Sequence, residues 1–160
     1  MKKLFSSILI FAISSTTVIA DSDKDNGENR GKPTLPSPSN ARWKQECGSC
    51  HLAFAPGLLP SASWRKIMDG LGEHFGTDAA LTTQENGEIT AFLVNNASTR
   101  WRAPSAPLRI TETYGFKRKH HEIAPTLWKR PAIKSPANCA ACHTGADQGD
   151  FEEHRVRIPR

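Results

Sequence analysis

The sequence predicts a small all-α fold in which short helices are separated by long loops. Helix signals recur along the chain, whereas the alternation of apolar and polar residues that is typical of strands is nearly absent. The 160 residues are only 38% hydrophobic and include 11 prolines, which is little apolar material for the core of a domain of this size. We therefore expect a loop-rich domain whose core is completed by something other than side chains.

Two helices are predicted before residue 76. Residues 41–50 are predicted to form a short helix, and Ser61 to cap a second helix over residues 62–75. Apolar residues recur at helical spacing along one face of the second helix, at Trp64, Ile67, Met68, Leu71 and Phe75.

Three more helices are predicted further along the chain. Residues 82–85 match a capping box and open a third helix that buries Ile89, Phe92, Leu93 and Ala97. After a basic linker broken by prolines, Thr111 or Thr113 is predicted to cap a fourth helix that carries two adjacent histidines. Residues 135–136, Ser-Pro, predict the start of a fifth helix.

Two copies of one motif, C-x-x-C-H, contain all the cysteines of the chain. They occupy residues 47–51 and 139–143, with the thiols of Cys47, Cys50, Cys139 and Cys142 and the imidazoles of His51 and His143. This motif attaches a c-type haem, in which both thiols form thioethers with the porphyrin and the histidine is the proximal ligand of the iron. We therefore predict two covalently bound haem c groups around which the short helices pack.

Three other roles of paired cysteines remain open. A four-cysteine zinc site normally places its pairs about 15–20 residues apart, whereas Cys50 and Cys139 are much further apart. A disulfide framework suits an exported chain, although a C-x-x-C loop is too short to stabilise much. A redox-active dithiol is expected beside a βαβ pattern, which the chain lacks. None of these roles explains the histidine after each pair.

The first twenty residues match a secretory signal peptide. Lys2 and Lys3 precede an apolar run over residues 4–13 and a cleavage site that ends at Ala20. This run is shorter than the roughly 20 apolar residues that cross a bilayer, so we expect no stable membrane insertion and a periplasmic mature protein. Residues 21–40 predict a flexible leader, which leaves residues 41–160 as a single domain.

Basic residues are concentrated in the middle of the chain. Residues 98–134 hold nine basic and two acidic side chains, a net charge of +7. The candidate partners of the haem propionates are therefore Arg100, Arg102, Arg109, Lys117, Arg118, Lys119, Lys129 and Arg130. An ordinary solvated face is equally compatible with this charge. Nucleic acid is disfavoured, because the cluster follows an export signal.

Methionine cannot supply both distal ligands, since Met68 is the one methionine left after removal of the signal. Met68 lies on the apolar face of the second helix, where we expect it to pack in the core, so the remaining histidines are the expected distal ligands. His74 flanks the buried face of the second helix, and His120 lies on the apolar side of the fourth. His121 points about 100° away from its neighbour and remains an alternative, whereas His154 is expected to be exposed or paired with a carboxylate.

Nearness in the sequence pairs these ligands within each half of the chain. The first haem would be held by His51 and His74, and the second by His143 and His120. A crossed arrangement, with His51 opposite His120, stays open. In either arrangement both irons are six-coordinate and have no open position for a substrate.

Several segments resemble the bacterial dihaem cytochrome c family known as DHC. Near the start these are E-C-G-S-C-H, P-G-L-L-P, S-W and H-F-G, at residues 46–51, 56–60, 63–64 and 74–76. Near the end they are S-P-A-N-C-A-A-C-H, G-D-F and V-R-I-P-R, at residues 135–143, 149–151 and 156–160. The middle matches at Arg109, Ile110, Glu112, Thr113 and His120. The resemblance covers about residues 43–160.

The resemblance implies a periplasmic electron carrier with two bis-histidine haems and with His74 and His120 as distal ligands. It also implies a membrane b-type cytochrome as electron donor and a small oxygen-binding c-type haem protein as acceptor. We expect a monomer without catalytic activity. The alternative is a dihaem peroxidase-type enzyme with one open haem site and an acid–base residue beside it, and a haem-based sensor is a third interpretation.

Overall fold

The computed structural model describes residue 38 and residues 40–99 and 106–160. Within these residues the chain forms no β-strand and four α-helices, which are α1 (Ala41–Gly48), α2 (Ser61–Asp69), α3 (Thr83–Asn95) and α4 (Tyr114–Lys119). Bridge-type backbone pairing in these ranges is limited to His74 with Thr77. The predicted all-α class is confirmed.

Short 3₁₀ turns connect the helices. In the described ranges they are Pro56–Leu58, Leu71–Glu73, Ile110–Glu112, Leu127–Lys129, Cys139–Ala141, Ala146–Gln148 and Glu153–Arg155. Five of these seven turns follow α3, where α4 is the one α-helix that the structure describes. The second half of the chain is therefore built mainly from turns and loops, as the composition predicts.

The predicted signal peptide and nearly all of the predicted leader lie outside the described residues, as do Arg100 and Arg102. The division of the chain into signal, leader and domain therefore stays a prediction. No helix within the described ranges is long and apolar enough to cross a bilayer.

The main core lies between α1, α2 and α3. Its buried members are Trp43, Leu59, Trp64, Met68, Ile89 and Leu93. The indole N–H of Trp64 donates to the carbonyl of Pro56 at 2.7 Å, which satisfies the polar atom of this buried ring. The side-chain amide of Asn86 in α3 donates to the carbonyl of Met68 in α2 at 2.9 Å. These contacts hold α1, α2 and α3 together.

Helix starts follow the capping rules at three places. The Asn40 side chain accepts a hydrogen bond from the Trp43 amide at the start of α1. At the start of α3, Thr82 and Glu85 form the reciprocal capping box that the sequence predicts. For α4 the capping residue is Thr113 and not Thr111, so one of the two predicted candidates is confirmed.

The predicted bounds of the second helix are wrong at both ends. Ser61 does not cap α2; it is the first helical residue, and Pro60 precedes it without a side-chain cap. The helix ends at Asp69 and not at residue 75, because Gly70 leaves the helical region with φ −112° and ψ 22°. The glycines that weaken this segment therefore end the helix.

The predicted fifth helix is absent from the described structure. The Ser135 hydroxyl accepts a hydrogen bond from the Ala137 amide at 3.1 Å, but only the turn Cys139–Ala141 follows. Lys134 has a left-handed backbone with φ 68°, and Asn138 has a non-helical ψ of 71°. The stretch between these residues is too short to hold a helix.

Few side chains are buried in the second half of the chain. Among residues 106–160, the fully buried non-glycine residues are Thr113, Ile133 and Ala146. Backbone contacts close this half instead. The Arg157 amide donates to the Cys142 carbonyl at 2.9 Å, and the Arg130 guanidinium donates to the Pro159 carbonyl at 2.8 Å. The last residues of the chain are thereby tied to the second C-x-x-C-H motif.

Replacing Thr82 with alanine should destabilise the protein by about 1 kcal/mol, because the substitution removes the hydroxyl that caps α3. Thermal unfolding of the haem-loaded protein measures the loss. Thr83→Ala is the matched control, since Thr83 is exposed and lies one residue inside the helix. Equal destabilisation by both variants would contradict a specific role of the cap.

Candidate haem sites

The first motif histidine faces a second imidazole. The ring centres of His51 and His74 are 6.2 Å apart, and the ring planes meet at 23°. Two imidazoles bound through Nε2 to opposite faces of one metal ion have ring centres about 6.4 Å apart, from a metal–nitrogen bond of about 2.0 Å and roughly 1.2 Å from nitrogen to ring centre. The spacing of this pair therefore fits a shared iron.

A tight turn holds His74 in this place. The Thr77 amide donates to the His74 carbonyl at 3.1 Å, and the two residues between them have positive φ, 51° at Phe75 and 92° at Gly76. Positive φ at both central residues defines a type I′ turn. For Phe75 this backbone costs on the order of 1–3 kcal/mol, a strain that is found mainly at functional sites.

The second motif histidine also faces an imidazole. The ring centres of His143 and His120 are 6.1 Å apart, and the ring planes meet at 74°. His143 follows the turn Cys139–Ala141 and donates its amide to the Cys139 carbonyl at 2.8 Å. His120 is the C-terminal cap of α4. Both histidines predicted for this haem are thus brought together at the spacing that one iron requires.

In two of these histidines, a hydrogen bond at Nδ1 leaves Nε2 available to bind a metal. Nδ1 of His51 lies 2.7 Å from the Leu52 carbonyl oxygen, and Nδ1 of His120 lies 2.9 Å from that of Phe116. A carbonyl oxygen can only accept, so the proton resides on Nδ1 and the lone pair on Nε2. Metal-binding histidines are typically oriented in this way.

Burial favours the neutral form of two of the imidazoles, which is the form that binds metal. The pKa of His74 is lowered by burial and, to a smaller extent, by the neighbouring His51. The pKa of His143 is lowered by burial and then by His120, while Asp150 acts in the opposite direction.

The properties of the four thiols disfavour the alternative roles of the cysteines. None of the four is in a disulfide. Burial, with the adjacent Glu46, raises the pKa of Cys47 to about 11, and burial also raises the pKa of Cys139 and Cys142. Reactive dithiols have lowered pKa values instead. Within the described ranges, no group of three or more metal-binding side chains forms a zinc site.

The remaining histidines lie apart from these pairs. The side chain of His121 is 71% exposed, with Nε2 3.9 Å from a Glu122 oxygen. His154 is also exposed and lies 3.9 Å from Glu152, as the sequence predicts. Met68 is buried in the core, which agrees with a packing role. Proximity therefore favours His120 over His121, and favours the pairing within each half over the crossed arrangement.

A cavity of about 550 Å³ lies beside the first pair. Its lining includes Phe75, the neighbour of His74, together with Arg109, Lys117 and Glu112. The Arg109 guanidinium lies over the Phe75 ring at 4.1 Å. Two of the predicted propionate partners, Arg109 and Lys117, thus line this cavity. The pairing with propionates stays a prediction.

Two thiol pairs, each followed by a histidine that faces a second imidazole, define a c-type cytochrome with two haems. The family model for dihaem cytochrome c (DHC) matches residues 43–151. The chain belongs to this family of electron-transfer proteins, and its cofactors are two covalently bound haem c groups with iron. The predicted family and cofactors are confirmed.

Solved structures agree with this assignment. A diheme cytochrome c from Rhodobacter sphaeroides is 38% identical with a TM-score of 0.67, covering 73% of this chain and 100% of that one. A second structure, DHC purified from the same organism, is 41% identical with a TM-score of 0.64 and covers 72% and 99% of the two chains. A diheme cytochrome type c from Shewanella baltica OS155 is 39% identical with a TM-score of 0.68, covering 76% and 94%. No curated protein matches the chain.

Replacing both Cys139 and Cys142 with alanine should remove one covalently bound haem, because the second porphyrin then has no thiol to attach to. Mass spectrometry of the denatured protein should show a loss equal to one haem. The control is Ala141→Ser, which places in the second motif the residue found at the corresponding position of the first, Ser49. Two haems retained in the double variant would contradict this assignment.

Proposed function

We propose that this protein is a periplasmic electron carrier in which two imidazoles close each iron. The observation that carries the proposal is the spacing of the two histidine pairs, 6.2 Å for His51 with His74 and 6.1 Å for His143 with His120. The bound haems supply a one-electron couple between ferric and ferrous iron. The chain's own residues supply the ligands and exclude other ligands from the iron.

The same spacing favours electron transfer over catalysis. A peroxidase-type enzyme needs one displaceable sixth ligand with an acid–base residue beside it. Here both pairs have nearly the same separation, and each distal histidine is anchored. The backbone of His74 is held by the turn to Thr77, and the ring of His120 by its bond to the Phe116 carbonyl. We therefore propose that the protein is not an enzyme.

Resemblance to the family supports the choice of partners. The proposed donor is a membrane b-type cytochrome, and the proposed acceptor is a small oxygen-binding c-type haem protein. Periplasmic location rests on the predicted signal peptide with cleavage near Ala20, and we propose that the mature protein is a monomer.

Basic side chains next to His120 support electrostatic docking. Lys117, Arg118 and Lys119 end α4 and are exposed, and Lys119 lies 3.5 Å from Glu153. Small redox proteins form transient complexes of limited area, in which complementary charge mainly raises the association rate. We therefore propose an acidic docking face on one partner.

Replacing either His74 or His120 with alanine should remove the sixth ligand of one iron. The ferric spectrum should then gain one high-spin component, and half of the ferrous haem should bind carbon monoxide, whereas the unmodified protein should be low-spin and should not respond. Absorption spectra with and without carbon monoxide measure both effects.

His121→Ala and His154→Ala are the matched controls, because both side chains are exposed and lie apart from the pairs. Each control should keep two low-spin haems. An unmodified protein that binds carbon monoxide would refute closed coordination. A His121→Ala variant that opens an iron would transfer the ligand role to His121.

The rate of electron transfer to the acceptor should fall as ionic strength rises, because salt screens attraction between exposed charges. Stopped-flow mixing with a purified oxygen-binding c-type haem protein measures the rate. Replacing Lys117 and Arg118 with glutamine should weaken the salt dependence. Arg65 and Lys66, an exposed pair on α2, provide the matched control. A rate independent of salt would rule out electrostatic docking.

A further inference from the structure

We infer that the two haems differ in electronic structure, because the protein holds the planes of one pair of axial imidazoles nearly parallel and those of the other pair nearly perpendicular. We also infer that Phe116 sets the perpendicular arrangement. The interplanar angle is 23° for His51 with His74 and 74° for His143 with His120. The inference rests on the proposed bis-histidine ligation and adds to it a difference between the sites.

Contacts on both sides fix the planes of the first pair. His51 stacks on Phe54, with ring centres 4.9 Å apart and planes at 27°, and its Nδ1 lies 2.7 Å from the Leu52 carbonyl oxygen. The backbone of His74 is fixed by the type I′ turn, and its ring contacts Phe75 edge-on with centres 4.9 Å apart. Both rings of the first pair are therefore constrained by neighbouring residues.

Phe116 constrains the plane of His120 in two ways. Its ring stacks on the imidazole, with centres 4.1 Å apart and planes at 16°. Its carbonyl oxygen lies 2.9 Å from Nδ1 of the same imidazole, one helical turn away. Trp128 lies further out, with its ring centre 5.9 Å from that of His120. Because rotation of His120 would break both contacts with Phe116, this phenylalanine is a positioning residue.

The other ring of the second pair is oriented independently. His143 contacts Phe151 edge-on, with ring centres 5.3 Å apart and planes at 61°. Phe151 belongs to a different part of the chain from α4. The two imidazoles of this pair are thus oriented by contacts with different residues, and the structure holds their planes nearly crossed, at 74°.

The angle between two axial imidazoles affects the electronic state of the iron. Each ring donates π-electron density perpendicular to its own plane. Parallel rings raise the energy of one of the two iron d orbitals of π symmetry above that of the other. Crossed rings raise the energies of both orbitals by about the same amount. The energy difference between the two orbitals is larger with parallel rings, and it stabilises the ferric state. Crossed rings by themselves therefore favour reduction of the iron. Axial ligands are among the means by which a protein sets a haem potential.

Electron paramagnetic resonance of the fully oxidised, haem-loaded protein at liquid-helium temperature tests the inference directly. We expect two low-spin signals of equal intensity, one rhombic with three resolved g values and one strongly anisotropic with a single large g value. The strongly anisotropic signal should be missing when Cys139 and Cys142 are both alanine. Two rhombic signals of the same shape would overturn the inference.

Near-infrared magnetic circular dichroism separates this outcome from failure of the proposed function. The energy of its charge-transfer band reports which ligand types bind the iron, and it is insensitive to the angle between their planes. A bis-imidazole band with two similar resonance signals would refute only the difference between the sites. A band of another ligand pair would refute the proposed ligation itself.

Substitution of Phe116 tests its positioning role. Phe116→Leu should decrease the large g value toward the values of the rhombic signal, because the stacked ring no longer holds His120. The same substitution should lower the reduction potential of the second haem. Phe116→Tyr keeps the ring and should preserve both properties. The matched control is Phe54→Leu, the same change beside His51, which should leave the large g value unchanged. An unaltered large g value in Phe116→Leu would show that Phe116 does not set the plane.

Discussion

Two imidazoles that share one iron must face each other at a fixed separation, and the structure is organised around meeting this requirement twice. Each proximal histidine is positioned together with the thiols, because it directly follows Cys50 or Cys142 in its motif. The proposed distal histidines need separate support. One is held by a strained two-residue turn after α2, and the other by the last turn of α4. The irregular segments of this loop-rich chain are thus the segments that carry the proposed ligands.

The two halves of the chain differ in how many side chains they bury. The first half has a side-chain core of three helices, against which Cys47 packs. Residues 106–160 bury few side chains, and their helical elements are mostly 3₁₀ turns, which are weak elements by themselves. Burial of apolar porphyrin surface stabilises at about 25 cal/mol per Å². The cofactor therefore contributes a larger share of the stability of the second half, and we expect the apoprotein to be largely unstructured there.

Local chemistry made part of this structure predictable from sequence. The C-x-x-C-H motifs and the capping box at Thr82 depend on residues within five positions of one another, and the family and cofactors follow from the motifs. The early end of α2 was missed because several apolar positions beyond Gly70 continue the helical pattern. The choice of His120 over His121 follows from helical spacing, because His120 lies on the apolar side of the predicted fourth helix. The interplanar angles instead depend on contacts between distant segments, such as that of His120 with His143. Those contacts carry no signal in the spacing of residues.

The order of the two sites along the chain has a consequence for biogenesis. The first pair is complete once residue 74 has been made, and its supporting core once α3 has followed. Completion of the second site requires the terminal segment, because Arg157 binds the Cys142 carbonyl and Pro159 binds Arg130. A polypeptide that emerges N-terminus first therefore exposes the residues of the first proposed site before those of the second.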